Sequence, residues 1–139
     1  MEKLLKDANS LQGELVRIRR RLHEHAEVGF DVENTLSIIR EELEKIGLKP
    51  TKIGKAGLCA TVGKKREKTL LLRADIDGLP MAEKTSLKYA CKDGHMHACG
   101  HDMHAAMLLA AAQMLKEKED ELEGTVKLMF QPAEETFEG

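Results

Sequence analysis

The stretch that decides the fold is TLLLRA, residues 69–74, whose centre is almost entirely apolar. A short, continuous apolar run of this kind is typical of a strand inside a sheet, where neighbouring layers cover both of its faces. The chain turns polar immediately afterwards, in DIDGLP at residues 75–80. We therefore predict an interior strand that ends in two aspartates, Asp75 and Asp77.

Helical periodicity is present on both sides of this strand. Apolar residues recur every three or four positions across residues 4–22, which predicts one amphipathic helix. A second helix fits residues 32–46, with Asp31 as its N-cap and Gly47 as its C-terminal stop. A third helix at residues 102–116 is apolar almost all round and is predicted to be buried.

Three further strands complete the pattern. They are predicted at residues 52–53, 58–62 and 125–130, and Pro132 ends the last of them. Helices that alternate with apolar strands indicate an α/β fold, which we predict to be a mixed, largely parallel sheet with flanking helices. In such sheets ligands bind at the carboxyl ends of strands, so the polar residues there are the first candidates for a site.

The composition indicates one domain without a nucleic-acid or membrane partner. The 139 residues are 42% hydrophobic and 33% charged, and 22 Lys and Arg nearly balance 24 Asp and Glu. The chain begins with charged residues, and its longest apolar stretch is too short to span a bilayer. It has three cysteines, an odd number that favours a reducing compartment. We therefore expect a cytoplasmic protein.

The densest chemistry lies in HACGHDMH, residues 97–104, which combine three imidazoles, a thiol and a carboxylate. Cys99 and His101 are separated by one residue, so both can face one ion from an extended loop, and such ligands suit zinc above all. A structural zinc module that also uses Cys91 and His95 is the main alternative. We favour a catalytic ion because the chain has no paired C-x-x-C knuckle.

Five more residues are candidates for orienting the ligands. His104 lies one helical turn beyond the ligand histidine, where it could also be a ligand or a core histidine. Asp102 and His97 lie within the same motif. Asp75 and Asp77 can orient metal ligands through hydrogen bonds, although aspartates before a glycine also suit a simple turn.

Two adjacent glutamates follow the last predicted strand, in QPAEE at residues 131–135. Adjacent side chains point in different directions, so Glu134 and Glu135 can have different roles. One can bind the ion while the other acts as general base toward a water that the ion activates. Two surface glutamates would be the ordinary interpretation, but the buried strand, the proline turn and the upstream metal motif favour the catalytic one.

Taken together, these motifs resemble the amidohydrolase branch of the aminoacylase/carboxypeptidase superfamily of two-metal peptidases. Its members include hippurate hydrolase, indoleacetyl-amino-acid hydrolase and N-acetyldiaminopimelate deacetylase. The resemblance covers nearly the whole chain and rests on four motifs in the family's order, at residues 20–30, 72–81, 96–104 and 130–135.

The resemblance implies a role for each candidate residue. Cys99, His101 and Glu135 would be metal ligands, and Glu134 would be the general base. Asp75 and Asp77 are counted with Glu134 as catalytic residues, because they occupy the stretch where related peptidases carry a His-x-Asp motif. Asp75 stands at the position of that histidine.

The implied activity is metal-dependent hydrolysis of the amide bond of N-acyl amino acids. The complete enzyme would hold two divalent ions, zinc or manganese, with cobalt and nickel as further options. Its substrate would be a small molecule, and it would form a homodimer or a larger oligomer.

Length is the main departure from the family, whose complete members are more than twice as long. Two further histidine ligands lie downstream of the glutamate pair in the family. We therefore expect residues 1–139 to be the N-terminal portion of the catalytic domain, without the dimerisation or lid domain and without the C-terminal catalytic half. The alternative is a truncated, non-catalytic fragment that folds as an α/β layer and binds at most one metal ion.

Overall fold

The computed structural model of the chain describes residues 2–64 and 67–139. Within these ranges the helices and strands follow the predicted order, except that the first predicted helix is divided in two. The elements are α1 (Glu2–Ser10), α2 (Gln12–Glu24), α3 (Glu33–Lys45), β1 (Thr51–Ile53), β2 (Gly57–Val62), β3 (Thr69–Asp75), α4 (His101–Glu117), a short 3₁₀ helix (Glu119–Glu121) and β4 (Thr125–Gln131). No helix in the described ranges is both long and apolar enough to cross a membrane.

The strands form one mixed sheet in the order β1-β2-β4-β3, which confirms the mixed α/β class. Parallel pairing is less extensive than predicted, because only β3 and β4 run parallel among the described strands. A three-residue connection joins β1 to β2, and a connection this short forces antiparallel pairing. The long crossover through α4 makes β3 and β4 parallel.

The predicted interior strand β3 lies instead at an edge of the described sheet, beside β4 alone. Leu70 is 58% exposed and Leu71 is 51% exposed, so neither face of this part of the strand is covered. The apolar run did identify a strand, but burial on both faces also requires neighbours that the described residues do not supply. Only the carboxyl end of β3 is buried, at Ala74 and Asp75.

The first predicted helix is two helices, because the chain turns at Leu11. The Ser10 hydroxyl donates a hydrogen bond to the Asp7 carbonyl at 2.6 Å, and this local bond competes with continuation of the helix. No residue of α1 is buried, whereas α2 buries Ile18 and Leu22 in the core.

The ends of α3 show one wrong and one confirmed prediction. Asp31 is not the N-cap. Val32 takes that position without a side-chain bond, and the Glu27 carboxylate accepts the backbone N–H groups of Asn34 (3.1 Å) and Thr35 (2.8 Å). Glu27 therefore caps the N-terminus of α3, although it lies outside the helix. Gly47 does end the helix, with a φ of +79° that suits glycine at this position.

The core lies between the sheet and the helices, and α4 contributes most to it from the helical side. Its buried residues include Ala105, Ala106, Leu109 and Ala112. The prediction of burial all round is wrong for one face, where Met103 and Met107 are about half exposed. On the sheet side, the largest fully buried side chains include Leu58, Leu128 and Phe130.

Candidate metal centre

The candidate site forms where β3, β4 and the start of α4 meet. The parallel pair β3–β4 ends in register, with Asp75 opposite Gln131, and the Ile76 N–H continues the ladder to the Gln131 carbonyl at 3.0 Å. Both strands therefore finish at the same edge of the sheet. The residues that follow them, Asp77 and the pair Glu134 and Glu135, face the first turn of α4.

Cys99, His101 and Glu135 come together as a set of possible ligands. One donor atom from each lies within 4.8 Å of the other two. His101 Nε2 is 3.7 Å from Glu135 Oε1. His101 is buried, Glu135 is half-buried and Cys99 is exposed, so the set lies at the surface of the described structure. A thiol, an imidazole and a carboxylate are donors that zinc accepts.

The orientation of His101 suits a metal ligand. Its Nδ1 lies 2.9 Å from the Asp77 carbonyl oxygen, and because a carbonyl only accepts hydrogen bonds, Nδ1 carries the proton. The lone pair is then on Nε2, which lies 3.6 Å from Glu134 Oε2. Histidine ligands in proteins are commonly held in this way, by a hydrogen bond on the ring nitrogen that does not bind the ion.

Asp77 also sets the direction of the two glutamates. Its fully buried carboxylate accepts the backbone N–H of Glu134 through Oδ1 and that of Glu135 through Oδ2, both at 3.1 Å. Ala133, just before them, has a φ of +57°, an uncommon conformation for a residue with a side chain. This tight turn points the two adjacent carboxylates in different directions.

The local electrostatics favour a cation. The Glu135 carboxylate raises the pKa of the Cys99 thiol, first by hydrogen bonding to its protonated form and then by charge repulsion. Glu135 Oε1 is buried, and it has no hydrogen-bond partner among the described residues. A divalent cation between these groups would satisfy the buried oxygen and stabilise the thiolate, so the residues fit a metal ion.

A second set of donors consists of Asp75, His101 and His104, again within 4.8 Å of one another. Asp75 Oδ1 is 2.6 Å from His104 Nδ1, and Asp75 Oδ2 accepts a hydrogen bond from Arg73 at 2.9 Å. Burial would raise the pKa of Asp75, but the hydrogen bond with His104 and the nearby positive groups lower it overall. His101 Nε2 is shared by the two sets and can serve only one ion.

The remaining sequence candidates lie near the ligands without joining them. His97 is only 4% exposed, and neither ring nitrogen has a hydrogen-bond partner among the described residues. Burial lowers its pKa to about 4, so the ring is neutral near pH 7. Cys91 and His95 belong to no group of three possible ligands within the described ranges, which weakens the structural zinc alternative.

Asp102 is fully buried beside His101, and its partners were not identified from the sequence. Its carboxylate lies 2.7 Å from His23 Nδ1 and 2.7 Å from Arg19 Nε. His23 falls in the first of the four motifs, but its contact with Asp102 spans 79 positions, and spacing carries no signal for such a pair. Glu83, on the other side of His23, stands in no recognisable pattern.

Comparison with protein families and curated proteins finds relatives that are named as hydrolases. The model for Peptidase family M20/M25/M40 matches residues 71–139. The chain is 47% identical over 123 residues to an Arabidopsis thaliana protein named IAA-amino acid hydrolase ILR1-like 4, covering 87% of this chain and 28% of that protein. It is 45% identical over 135 residues to N-acetyl-L-cysteine deacetylase of Bacillus subtilis, covering 94% of this chain and 32% of the relative.

A solved structure extends the likeness to three dimensions. A Bacillus subtilis protein described as a dinuclear metal-binding peptidase of the M20 family matches with a TM-score of 0.85 and 41% identity, over 91% of this chain and 36% of that one. The chain spans about a third of the length of the curated relatives that it matches. On its motifs, its fold and these matches, the chain belongs to Peptidase family M20/M25/M40.

Proposed function

We propose that this chain supplies part of a metal-dependent amidohydrolase that cleaves the amide bond of N-acyl amino acids. The observation that carries the proposal is the convergence of Cys99, His101 and Glu135 within 4.8 Å, beside a second glutamate. The printed names of two relatives support the substrate class, since one is an IAA-amino acid hydrolase and the other an N-acetyl-L-cysteine deacetylase.

The proposed metal ligands are Cys99, His101 and Glu135. A divalent ion lowers the pKa of water and polarises an amide carbonyl, which are the two effects that amide hydrolysis needs most. The thiolate favours zinc, while the imidazole and carboxylate suit manganese, cobalt or nickel equally well. We propose two ions in the complete enzyme, in line with the dinuclear description of the related Bacillus subtilis structure.

Glu134 is the proposed general base. Its side chain is 35% exposed, and Oε2 lies 3.6 Å from His101 Nε2, so it can reach a water molecule beside the ligands. Glu134 takes a proton from water as the water oxygen bonds to the amide carbonyl carbon. When the C–N bond breaks, Glu134 returns this proton to the leaving amine. The second water proton stays on the new carboxyl group, so the products are a carboxylic acid and an amino acid.

Asp77 and Asp75 are proposed to hold these groups in place. The Asp77 carbonyl fixes the His101 ring, and its carboxylate fixes the turn that carries both glutamates. The Asp75 carboxylate fixes the His104 ring through a hydrogen bond, next to the ligand set. Loss of partners that orient metal ligands typically lowers metal affinity by roughly 10–100-fold.

We further propose that residues 1–139 form an N-terminal portion of the catalytic domain of a cytoplasmic homodimer or larger oligomer. The share of the curated relatives that the chain spans, 27–35%, supports the domain assignment. The three free cysteines support a reducing compartment. Because the relatives are hydrolases by name, a non-catalytic fragment is the less favoured alternative.

Metal content and hydrolysis of N-acyl amino acids, measured on the same preparations, test this function. Acetyl-, benzoyl- and indoleacetyl-amino acids are offered to the chain with added Zn²⁺ or Mn²⁺. Glu134→Gln should leave metal binding unchanged and abolish turnover, whereas Glu138→Gln, an exposed glutamate nearby, should change neither. Measurable turnover by the unmodified chain that Glu134→Gln leaves unchanged would contradict the assignment of the base.

A further inference from the structure

A buried ionic cluster around His23 is not used in the proposed reaction. His23 lies in the last turn of α2 and is only 2% exposed. Its Nδ1 is 2.7 Å from Asp102 Oδ2, and its Nε2 is 3.2 Å from Glu83 Oε1. Both carboxylates are fully buried. Arg19 Nη2 also lies 3.2 Å from Nδ1, so the ring and this guanidinium meet at the Asp102 carboxylate.

Each carboxylate has further partners that fix its position. Asp102 is paired with Arg19, whose Nε is 2.7 Å from Oδ2 at an angle that is poor for a hydrogen bond. Glu83 accepts the backbone N–H of Cys91 at 2.8 Å and the hydroxyl of Thr85. Both buried carboxylates therefore have polar partners, as burial of a charged group requires.

The first turn of α4 depends on this cluster because it has no ordinary cap. Its N-cap is Gly100, in the left-handed conformation with a φ of +94°, and no side chain caps the helix from that position. Among the described residues, the one side-chain bond to a backbone N–H in this turn is local, from Met103 N–H to Asp102 Oδ1 at 2.9 Å. The other carboxylate oxygen of Asp102 attaches this turn, which includes His101, to His23.

The segment that carries Cys99 depends on the same residue. Between β3 and α4 the chain has no helix or strand over residues 76–100, so a few contacts must hold it. One is a short bridge between Leu79 and Met96, with backbone hydrogen bonds of 2.9 and 3.0 Å. Another is Glu83, which attaches the segment to His23 from the opposite side of Asp102.

We infer that His23 is a positioning residue for the metal centre, holding the start of α4 through Asp102 and the preceding segment through Glu83 so that His101 and Cys99 face Glu135. This inference rests on the metal centre proposed above. His23 lies on α2, a helix that contributes no ligand, and it joins the two parts of the chain that do. Its removal is therefore expected to weaken metal binding without removing any donor atom.

Co²⁺ affinity and the visible spectrum of the Co²⁺-loaded chain test the inference, alongside thermal melting of the metal-free chain. His23→Leu should bind Co²⁺ roughly 10–100-fold more weakly, with an altered spectrum. His23→Asn places an amide nitrogen near the position of Nδ1 and keeps the link to Asp102, so it should recover most of the affinity. His25→Leu, an exposed histidine at the end of the same helix, is the matched control and should bind as the unmodified chain does.

Three results would overturn the inference. Folded His23→Leu with unchanged Co²⁺ affinity and spectrum would show that the cluster only stabilises the fold. A His23→Asn variant as weak as His23→Leu would contradict the link through Asp102. If His23→Leu does not fold, unchanged Co²⁺ affinity in Glu83→Gln, which keeps the shape and removes one charge, would contradict the link through Glu83. Failure of the unmodified chain to bind Co²⁺ would instead overturn the metal centre itself.

Discussion

The two ends of β3 differ in burial and in the number of side-chain partners that their residues have. At its carboxyl end Asp75 is buried and bonded to Arg73 and His104, and Asp77 just beyond it is bonded to the backbone of both glutamates. Toward its amino end Leu70 and Leu71 are more than half exposed, on opposite faces of an edge strand. The carboxyl end has several side-chain partners, whereas the described residues leave the two leucine side chains near the amino end largely uncovered.

This difference shows that the candidate site at the carboxyl end of β3 and the exposed edge of the sheet depend on different parts of the chain. The candidate site needs only the end of β3, the end of β4 and the start of α4, and the described residues contain all three. Covering the amino end of β3 needs a neighbouring strand beyond it, and β4 is its one partner in the described sheet. A site can therefore be well ordered next to an edge that is open.

The sharpest way to test this contrast is to make the same substitution on the inner and the edge strand. Leu128→Ala in β4 removes a fully buried side chain and should cost about 2–5 kcal/mol of unfolding free energy. Leu71→Ala in β3 removes a half-exposed one and should cost less than about 1 kcal/mol. Urea denaturation of the two variants measures both. Equal losses would mean that β3 is covered in solution.

A pH effect on stability follows from His97, which lies close to the candidate site. The unfolded chain binds a proton at this histidine below about pH 6.5, whereas burial lowers the folded-state pKa to about 4. Between these values the unfolded state holds more protons, so stability falls as the pH is lowered from 6.5 to 4. The full difference corresponds to about 3 kcal/mol.

Urea denaturation of the metal-free chain at several pH values measures this slope. His97→Gln should flatten it between pH 6.5 and 4, because the substituted residue does not titrate. His25→Gln is the control, since that side chain is exposed and its loss should leave the slope unchanged. An unchanged slope in His97→Gln would mean that His97 gains a proton in the folded state as readily as in the unfolded one.

The open edge should show its effect in association more than in stability. An exposed apolar edge strand offers unpaired backbone groups to another strand. Leu71→Lys should therefore reduce self-association at high protein concentration, seen by analytical ultracentrifugation, while changing unfolding free energy by no more than about 0.5 kcal/mol. Thr61→Lys, at an exposed position of the inner strand β2, is the matched control. Association that is the same in both variants would argue against the β3 edge as the contact.

Local pattern predicted much of the fold. The periodicity of α3 and the apolar runs of β2, β3 and β4 all lie where the sequence predicts helix and strand. The errors concern the neighbours that each helix or strand contacts in the fold. An apolar run reports that a strand should be covered, but not whether a neighbour is present, which is why β3 was predicted to be interior. Likewise Asp31 has the chemistry of a cap, but Glu27 reaches the helix end through the fold.

The residues of the candidate site also fall into two groups, those that local sequence identifies and those that only the fold identifies. Cys99 and His101, and Glu134 with Glu135, were identified because each pair is close in sequence and carries chemistry. His23 and Glu83 could not be assigned roles, because the contacts of His23 with Asp102 and with Glu83 join positions that are 79 and 60 apart. The tautomer of His101 depends on the backbone carbonyl of Asp77, which no pattern of side chains reveals.

The most direct test of the central claim is a metal titration of the unmodified chain and of three single variants, Cys99→Ala, His101→Ala and Glu135→Ala. We predict that the unmodified chain binds a divalent ion at this set. Each variant should lose more affinity than the roughly 10–100-fold that loss of an orienting residue costs. His25→Ala should bind as the unmodified chain does. Unchanged affinity in all three variants would contradict the assignment of this cluster as a metal centre.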